Sequence, residues 1–138
     1  MLIVMSGSPG LASALEAAQH ILLRYTGVMP VSTEEKVTAL SRDFGSQRRL
    51  AELLGVNAAQ ITRWRRGEGI DDLNAERVDL LELVMAHLLR LYSAEAAERW
   101  LVGMNPSLAG RRPVDLIRRG HAREVLDAIA NERAGSFA

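Results

Sequence analysis

The stretch LAELLGVNAAQITRWRRG, residues 50–67, decides how this chain is read. Two short helices that cross closely over a tight turn need particular residue types at fixed spacings. Ala51 supplies a small side chain where the second helix crosses the first. Gly55, four residues on, can take the left-handed conformation that reverses the chain. Val56 plugs the corner, and Asn57 suits the N-cap of the second helix. Ile61 and Trp64, three residues apart, face inward against Leu50, Leu53 and Leu54. Together these features predict a helix-turn-helix from about Gln47 to Arg66, with helices over Gln47–Leu54 and Ala58–Arg66. Trp64 is expected in the core rather than as a platform for a stacked base.

Polar residues fill the outer face of the second helix. The first turns of such a helix enter the major groove of DNA, where Gln pairs with adenine and Arg with guanine. Gln60 and Arg63 are therefore assigned to base reading, with Asn57 and Thr62 beside them. Ser46, Arg48 and Arg49 open the first helix, where amide donors and positive charge suit a phosphate. Arg65 and Arg66 join Arg49 as phosphate contacts. The plainer alternative is a retained scaffold that no longer touches DNA.

Charge runs the same way. The 138 residues carry no net charge, yet the segment 42–66 holds six arginines against Asp43 and Glu52. The segment 67–98 then carries eight acids against Arg77 and Arg90, and the remainder is basic again, with seven arginines against four acids. A basic block beside an acidic one points to a nucleic-acid face and a different second face. Lys36 is the sole lysine, so an arginine-rich coding composition is the competing explanation.

Outward from the central motif the chain reads as all-α, with no convincing period-two alternation. Leu11, Leu15, Ala18, Leu22 and Tyr25 recur at helical spacing before Gly27. Ser32-Thr33-Glu34-Glu35 forms a capping box that opens a helix carrying Val37, Leu40 and Phe44. A long helix is expected from about Asn74 to Tyr92. Val78, Leu81, Met85, Leu88 and Tyr92 form its main stripe, and Leu80, Leu83, Val84 and Leu91 widen it. A helix apolar on two sides is buried on two sides, so it is either the central strut or the contact of a homodimer. Ser93 caps the next helix, Asn105-Pro106 breaks it, Pro113 opens a short one, and His121–Arg133 forms the last. Gly135 to Ala138 reads as a short tail. The expected organisation is an N-terminal extension over 1–31, a DNA-binding module over 32–73, and a long helix with a C-terminal module over 74–138.

Beyond Tyr92 the residues carry a more specific pattern: Trp100-Leu101, Asn105-Pro106-x-Leu108, Gly110-Arg111-x-Pro113-x-Asp115-Leu116-Ile117, then Gly120 and a terminal glycine with a short apolar end. This pattern resembles the toxin-binding domain of Xre/MbcA/ParS-type antitoxins, which also place a Xre-like helix-turn-helix ahead of it. The resemblance spans roughly 46–138. It implies an antitoxin of a type II toxin–antitoxin system whose partner is a RES-domain toxin that consumes NAD or uses it for ADP-ribosylation. It further implies that Gly135, Ser136, Phe137 and Ala138 reach the toxin's active-site cleft, and that Trp100, Arg111 and Arg112 shape the docking surface behind them. On the same resemblance, the antitoxin or its toxin complex represses its own operon by binding operator DNA; because a single helix-turn-helix buries little surface, a homodimer within the larger complex is expected.

Other classes fare worse. His20, His87 and His121 lie far apart without ligand-spaced companions, and no glycine-rich phosphate loop follows a strand. No cysteine is present, which removes thiolate chemistry and Cys-based zinc sites. Neither metal nor cofactor is expected, nor enzymatic activity. The apolar start Met1-Leu2-Ile3-Val4-Met5 lacks a basic n-region, and no segment has the apolar length of a membrane span, so a cytoplasmic location is expected. A stand-alone repressor with a C-terminal sensing or dimerisation domain is the main rival.

Overall fold

A computed structural model describes residues 31–136 of the chain, and those from Ser32 onward belong to one compact unit. The helix expected around Leu11 to Tyr25 lies outside the described residues. Among the described residues seven α-helices follow one another: α1 (Thr33–Asp43), α2 (Gln47–Leu54), α3 (Ala58–Arg65), α4 (Asp72–Leu88), α5 (Ala94–Val102), α6 (Pro113–Arg118) and α7 (Ala122–Ser136). A 3-10 turn, Pro106–Leu108, sits between α5 and α6. The protein is all-α, and no strand occurs among the described residues.

Short-range chemistry starts most of these helices. Ser32, Ser46, Asn57, Asp71 and Ser93 each accept the backbone amide three residues ahead, satisfying one of the four donors that a helix N-terminus leaves open. At Asn57 the box closes both ways, because the Gln60 side chain accepts the Asn57 amide. At Ser32 only the first half forms: its hydroxyl accepts from Glu35 at 3.2 Å.

The paired short helices stand as the spacing requires. Gly55 ends α2 at φ +73°, the left-handed region where a side chain is disfavoured. Ala51, Ile61 and Trp64 are buried together with Leu50, Leu53 and Leu54, and Val56 packs against them. The α3 helix rests on α1 and α2, and α1 rests on α4.

The long helix is mainly an internal strut. Val78, Leu80, Leu81, Val84, Met85 and Leu88 are all buried in the chain's own core, and α4 touches α1, α6 and α7. Leu80 and Val84 are therefore not available as subunit contacts, while Leu83 stays 41% exposed. The helix also begins and ends earlier than its periodicity suggests. Asp71 caps it by accepting the Asn74 amide at 2.7 Å, so Asn74 lies inside the first turn. Beyond Leu88 the chain tightens into turns, yet the Tyr92 amide still reaches the Leu88 carbonyl at 2.8 Å. That contact keeps Tyr92 in helical phase after the helix has ended, which is why the apolar spacing runs on to residue 92.

One apolar cluster runs from Val37 to Ile129 and draws on every helix. The C-terminal residues supply Leu101, Leu108, Val114, Leu116, Ile117, Val125, Ala128 and Ile129 to it. The last helix differs from expectation at its end: α7 continues through Ser136, so Gly135 is helical rather than the start of a turned tail. Phe137 and Ala138 lie outside the described residues. No helix among the described residues is long and apolar enough to cross a membrane.

Candidate functional site

Around α3 the sequence-assigned residues separate into those with free heads and those already engaged. Arg63, Arg65 and Arg66 are exposed and make no ion pair or side-chain hydrogen bond among the described residues. Arg48, at the start of α2, is 87% exposed and lies 3.9 Å from the Glu52 carboxylate, a loose pair. An exposed pair of this kind contributes little and is readily exchanged for a phosphate. Arg65 and Arg66 line one cleft together, and Arg48 and Arg63 are further exposed cations of α2 and α3.

Arg49 is placed differently. Its Nε donates to Glu98 on α5 at 2.8 Å, and its Nη1 donates to Glu52 at 2.9 Å. Both carboxylates hold the proton on this guanidinium, with the Glu98 hydrogen bond the largest influence. A phosphate would have to displace two carboxylates to reach it. Ser46 is likewise occupied as the cap of α2, accepting the Arg49 amide at 3.0 Å.

The base-reading pair divides as well. Arg63 is free, whereas Gln60 uses its carbonyl oxygen to accept the Asn57 amide at 3.0 Å. Bidentate reading of adenine needs both the oxygen and the amino group of Gln. Gln60 retains its amino group as a donor, and full bidentate pairing would open the capping box. Thr62 donates to the Gln47 side-chain oxygen at 2.8 Å, which links the second turn of α3 to the first residue of α2.

That link lies in an open polar cleft lined by Thr38, Gln47, Thr62, Arg65 and Arg66. It continues along α1 past Arg42 and Ser46. The sequence reading did not include Thr38, Arg42 and Gln47 in this surface. Arg42 stood in the basic block, but only the packing of α1 against α3 brings it alongside Arg65.

The second candidate region is built from the residues after α5. Asn105 is buried and organises the loop: its side chain accepts the Ser107 amide at 2.9 Å and its own amide donates to the Arg111 carbonyl at 3.1 Å. Its carbonyl receives the Gly110 amide at 2.9 Å. Arg111 donates from Nε to the Leu108 carbonyl at 2.8 Å and pairs with Glu124 on α7. Arg112 grips Asp115 with two parallel bonds of 2.9 and 3.0 Å. The Arg112 guanidinium beside Asp115 holds that carboxyl below its ordinary range, with Arg118 and Arg119 adding to the effect and partial burial opposing it. Both loop arginines remain exposed while anchoring the loop. Trp100 on α5 is half-buried, and its indole N–H is buried without a hydrogen-bond partner among the described residues. Exposed Met104 follows in the next loop at 81% accessibility, so this end of the module presents apolar surface next to charge.

No family model matches the sequence. The chain is 27% identical over 89 residues to the mycobacterial cidal antitoxin MbcA of Mycobacterium bovis, an alignment covering 64% of this chain and 79% of the relative. MbcA of Mycobacterium tuberculosis matches with the same values. A chain in the crystal structure of the M. tuberculosis MbcT–MbcA toxin–antitoxin complex shares the fold, with a TM-score of 0.64 and 23% identity over 79% of this chain and 100% of that one. The resemblance to MbcA-type antitoxins read from the C-terminal residues is borne out by these relatives.

Proposed function

We propose that this chain is a cytoplasmic antitoxin that neutralises a RES-domain toxin and represses its own operon by binding operator DNA through α2 and α3. The similarity to MbcA over 89 residues carries the antitoxin role. The DNA role is supported by the free guanidinium groups of Arg63, Arg65 and Arg66 around α3 and by the polar cleft that Arg42 extends. The toxin-docking surface consists of Trp100 and the Arg111-Arg112 loop, with the chain end from Gly135 to Ala138 entering the toxin's cleft. Expression of the RES-domain protein of the same operon should arrest growth, and co-expression of this chain should restore it. Failure to protect, with repression of the promoter intact, would make the chain a stand-alone repressor.

Two expectations follow for the surface. Replacing Arg63 by Ala should cost about 1–3 kcal/mol at one base position and relax specificity there. Replacing Arg66 by Ala should weaken binding to all sequences alike and lower the salt slope by about one. Titration of promoter and scrambled duplexes at several salt concentrations separates the two effects. Retained binding by both variants would move the interface away from α3.

For assembly, α4 leaves two large apolar side chains exposed, Leu73 at 54% and Leu83 at 41%, and Leu83 is the one that lies in the widened stripe. Leu83→Asp should leave the fold intact, because its side chain reaches solvent in the single chain. A dimer closed through α4 would dissociate, since the carboxylate would be buried without a partner. Light scattering at high concentration reads the outcome, and an unchanged mass for the variant would remove Leu83 from the interface.

A further inference from the structure

A side chain from the far end of the sequence closes the α2–α3 turn. Arg118, the last residue of α6, donates from Nε to the Leu53 carbonyl at 2.8 Å and from Nη2 to the Glu52 carbonyl at 2.5 Å. Those carbonyls belong to the last turn of α2, where a helix leaves acceptors without intrahelical donors. The Gly55 amide reaches Glu52 at 3.3 Å and the Val56 amide reaches Ala51 at 3.0 Å, and for Leu53 the guanidinium is the donor. A cation there also opposes the negative end of the helix dipole. Asp115 braces the guanidinium from behind, its carboxylate 3.5 Å from Nη1. The guanidinium lies directly on the turn: a Cβ built on Gly55 would stand 3.4 Å from Nε. The other end of α2 is tied to the C-terminal half too, through Arg49 and Glu98.

We infer that Arg118 is a positioning residue for α3. By fixing the carbonyl end of α2 it sets the turn through Gly55, and hence the angle at which Arg63 and Gln60 are presented to nucleic acid. The inference rests on the DNA reading above for its consequence, although the clamp itself is a feature of the fold. Arginine is suited to this place because its planar fork spans two carbonyls while its third nitrogen faces Asp115; an ammonium group is a single point of charge and cannot hold all three.

The test uses the full chain with Arg118→Ala and Arg118→Lys. Hydrogen exchange should accelerate about tenfold at the Gly55 and Val56 amides in the alanine variant, while core amides of α4 keep their protection. Affinity for the promoter duplex should fall about tenfold with the salt slope unchanged, because no phosphate contact is lost. The ratio of promoter to scrambled binding should shrink, and the lysine variant should recover part of each effect. Unchanged exchange at the turn, or acceleration spread evenly over all helices, would overturn the inference. A wild-type chain that ignores its promoter while Arg118→Ala still loosens the turn selectively would retire the DNA reading and uphold the clamp.

Discussion

Deleting the four residues from Gly135 to Ala138 should leave folding and DNA binding nearly intact and release toxicity in cells that carry both genes. Gly135 is exposed at the end of α7, and the apolar cluster draws on that helix through Val125, Ala128 and Ile129, six or more residues earlier. A frayed helix end contributes little to stability, so a plain repressor would tolerate the loss. An antitoxin that plugs a cleft would not. Phe137 is the apolar side chain of the segment, and an anchor filling a partner's pocket carries about 2 kcal/mol or more of binding. Because α7 continues through Ser136, a helix rather than a turn at Gly135 would carry the end towards the toxin. Growth of cells expressing both proteins, with pull-down of the complex, reads the result. Continued protection by the truncated chain would remove the plug mechanism. A truncated chain that still captures an active toxin would be its best support.

Trp64→Ala should have the largest effect on the fold itself. The side chain is 3% exposed and joins the cluster between α1, α2 and α3. Removing a buried indole costs the transfer of its apolar surface and leaves a cavity, together about 3–5 kcal/mol. Against a typical total of about 5–15 kcal/mol for a domain, that is a large fraction. The thermal midpoint should fall by more than about 10 °C, and promoter binding and protection should decline together because α3 loses its seat. Circular dichroism melts check this, and a midpoint shifted by only a degree or two would place Trp64 outside the core. Trp64→Phe should be milder, since most of the ring volume is kept.

How much the chain discloses on its own follows from the range of each interaction. Ala51, Gly55, Val56, Asn57, Ile61 and Trp64 all fall within the short stretch 51–64, so the spacing of these residues is sufficient to read α2, α3 and the turn between them. The caps at Ser32, Asn57 and Ser93 reach three residues ahead, and they too were legible. The family pattern around Trp100, Asn105 and Asp115 was carried by residue identity and needed no coordinates. Helix ends were less legible: Asp71 outcompeted Asn74 for the cap of α4, and the tightened turn at Leu88 preserved the apolar phase through Tyr92. The short tail expected from Gly135 onward begins later, because α7 carries through Ser136 despite the weak helix propensity of glycine.

Only the tertiary structure decided which arginines are free. Arg49 is paired across 49 residues of sequence with Glu98, and Arg118 across 65 with the Leu53 carbonyl. Neither partner is marked by any local pattern, because acids are spread over many parts of the chain and a backbone carbonyl occurs at every residue. The same holds for the burial of Leu80 and Val84: periodicity showed an α4 apolar on two sides, and the packing of α1, α6 and α7 determined that its own chain covers them. Long-range contacts depend on how helices cross, which is set by the fit of the whole core at once. Local spacing therefore fixes that there are two paired helices with a basic outer face, and the core decides which of those basic groups remain free to meet a ligand.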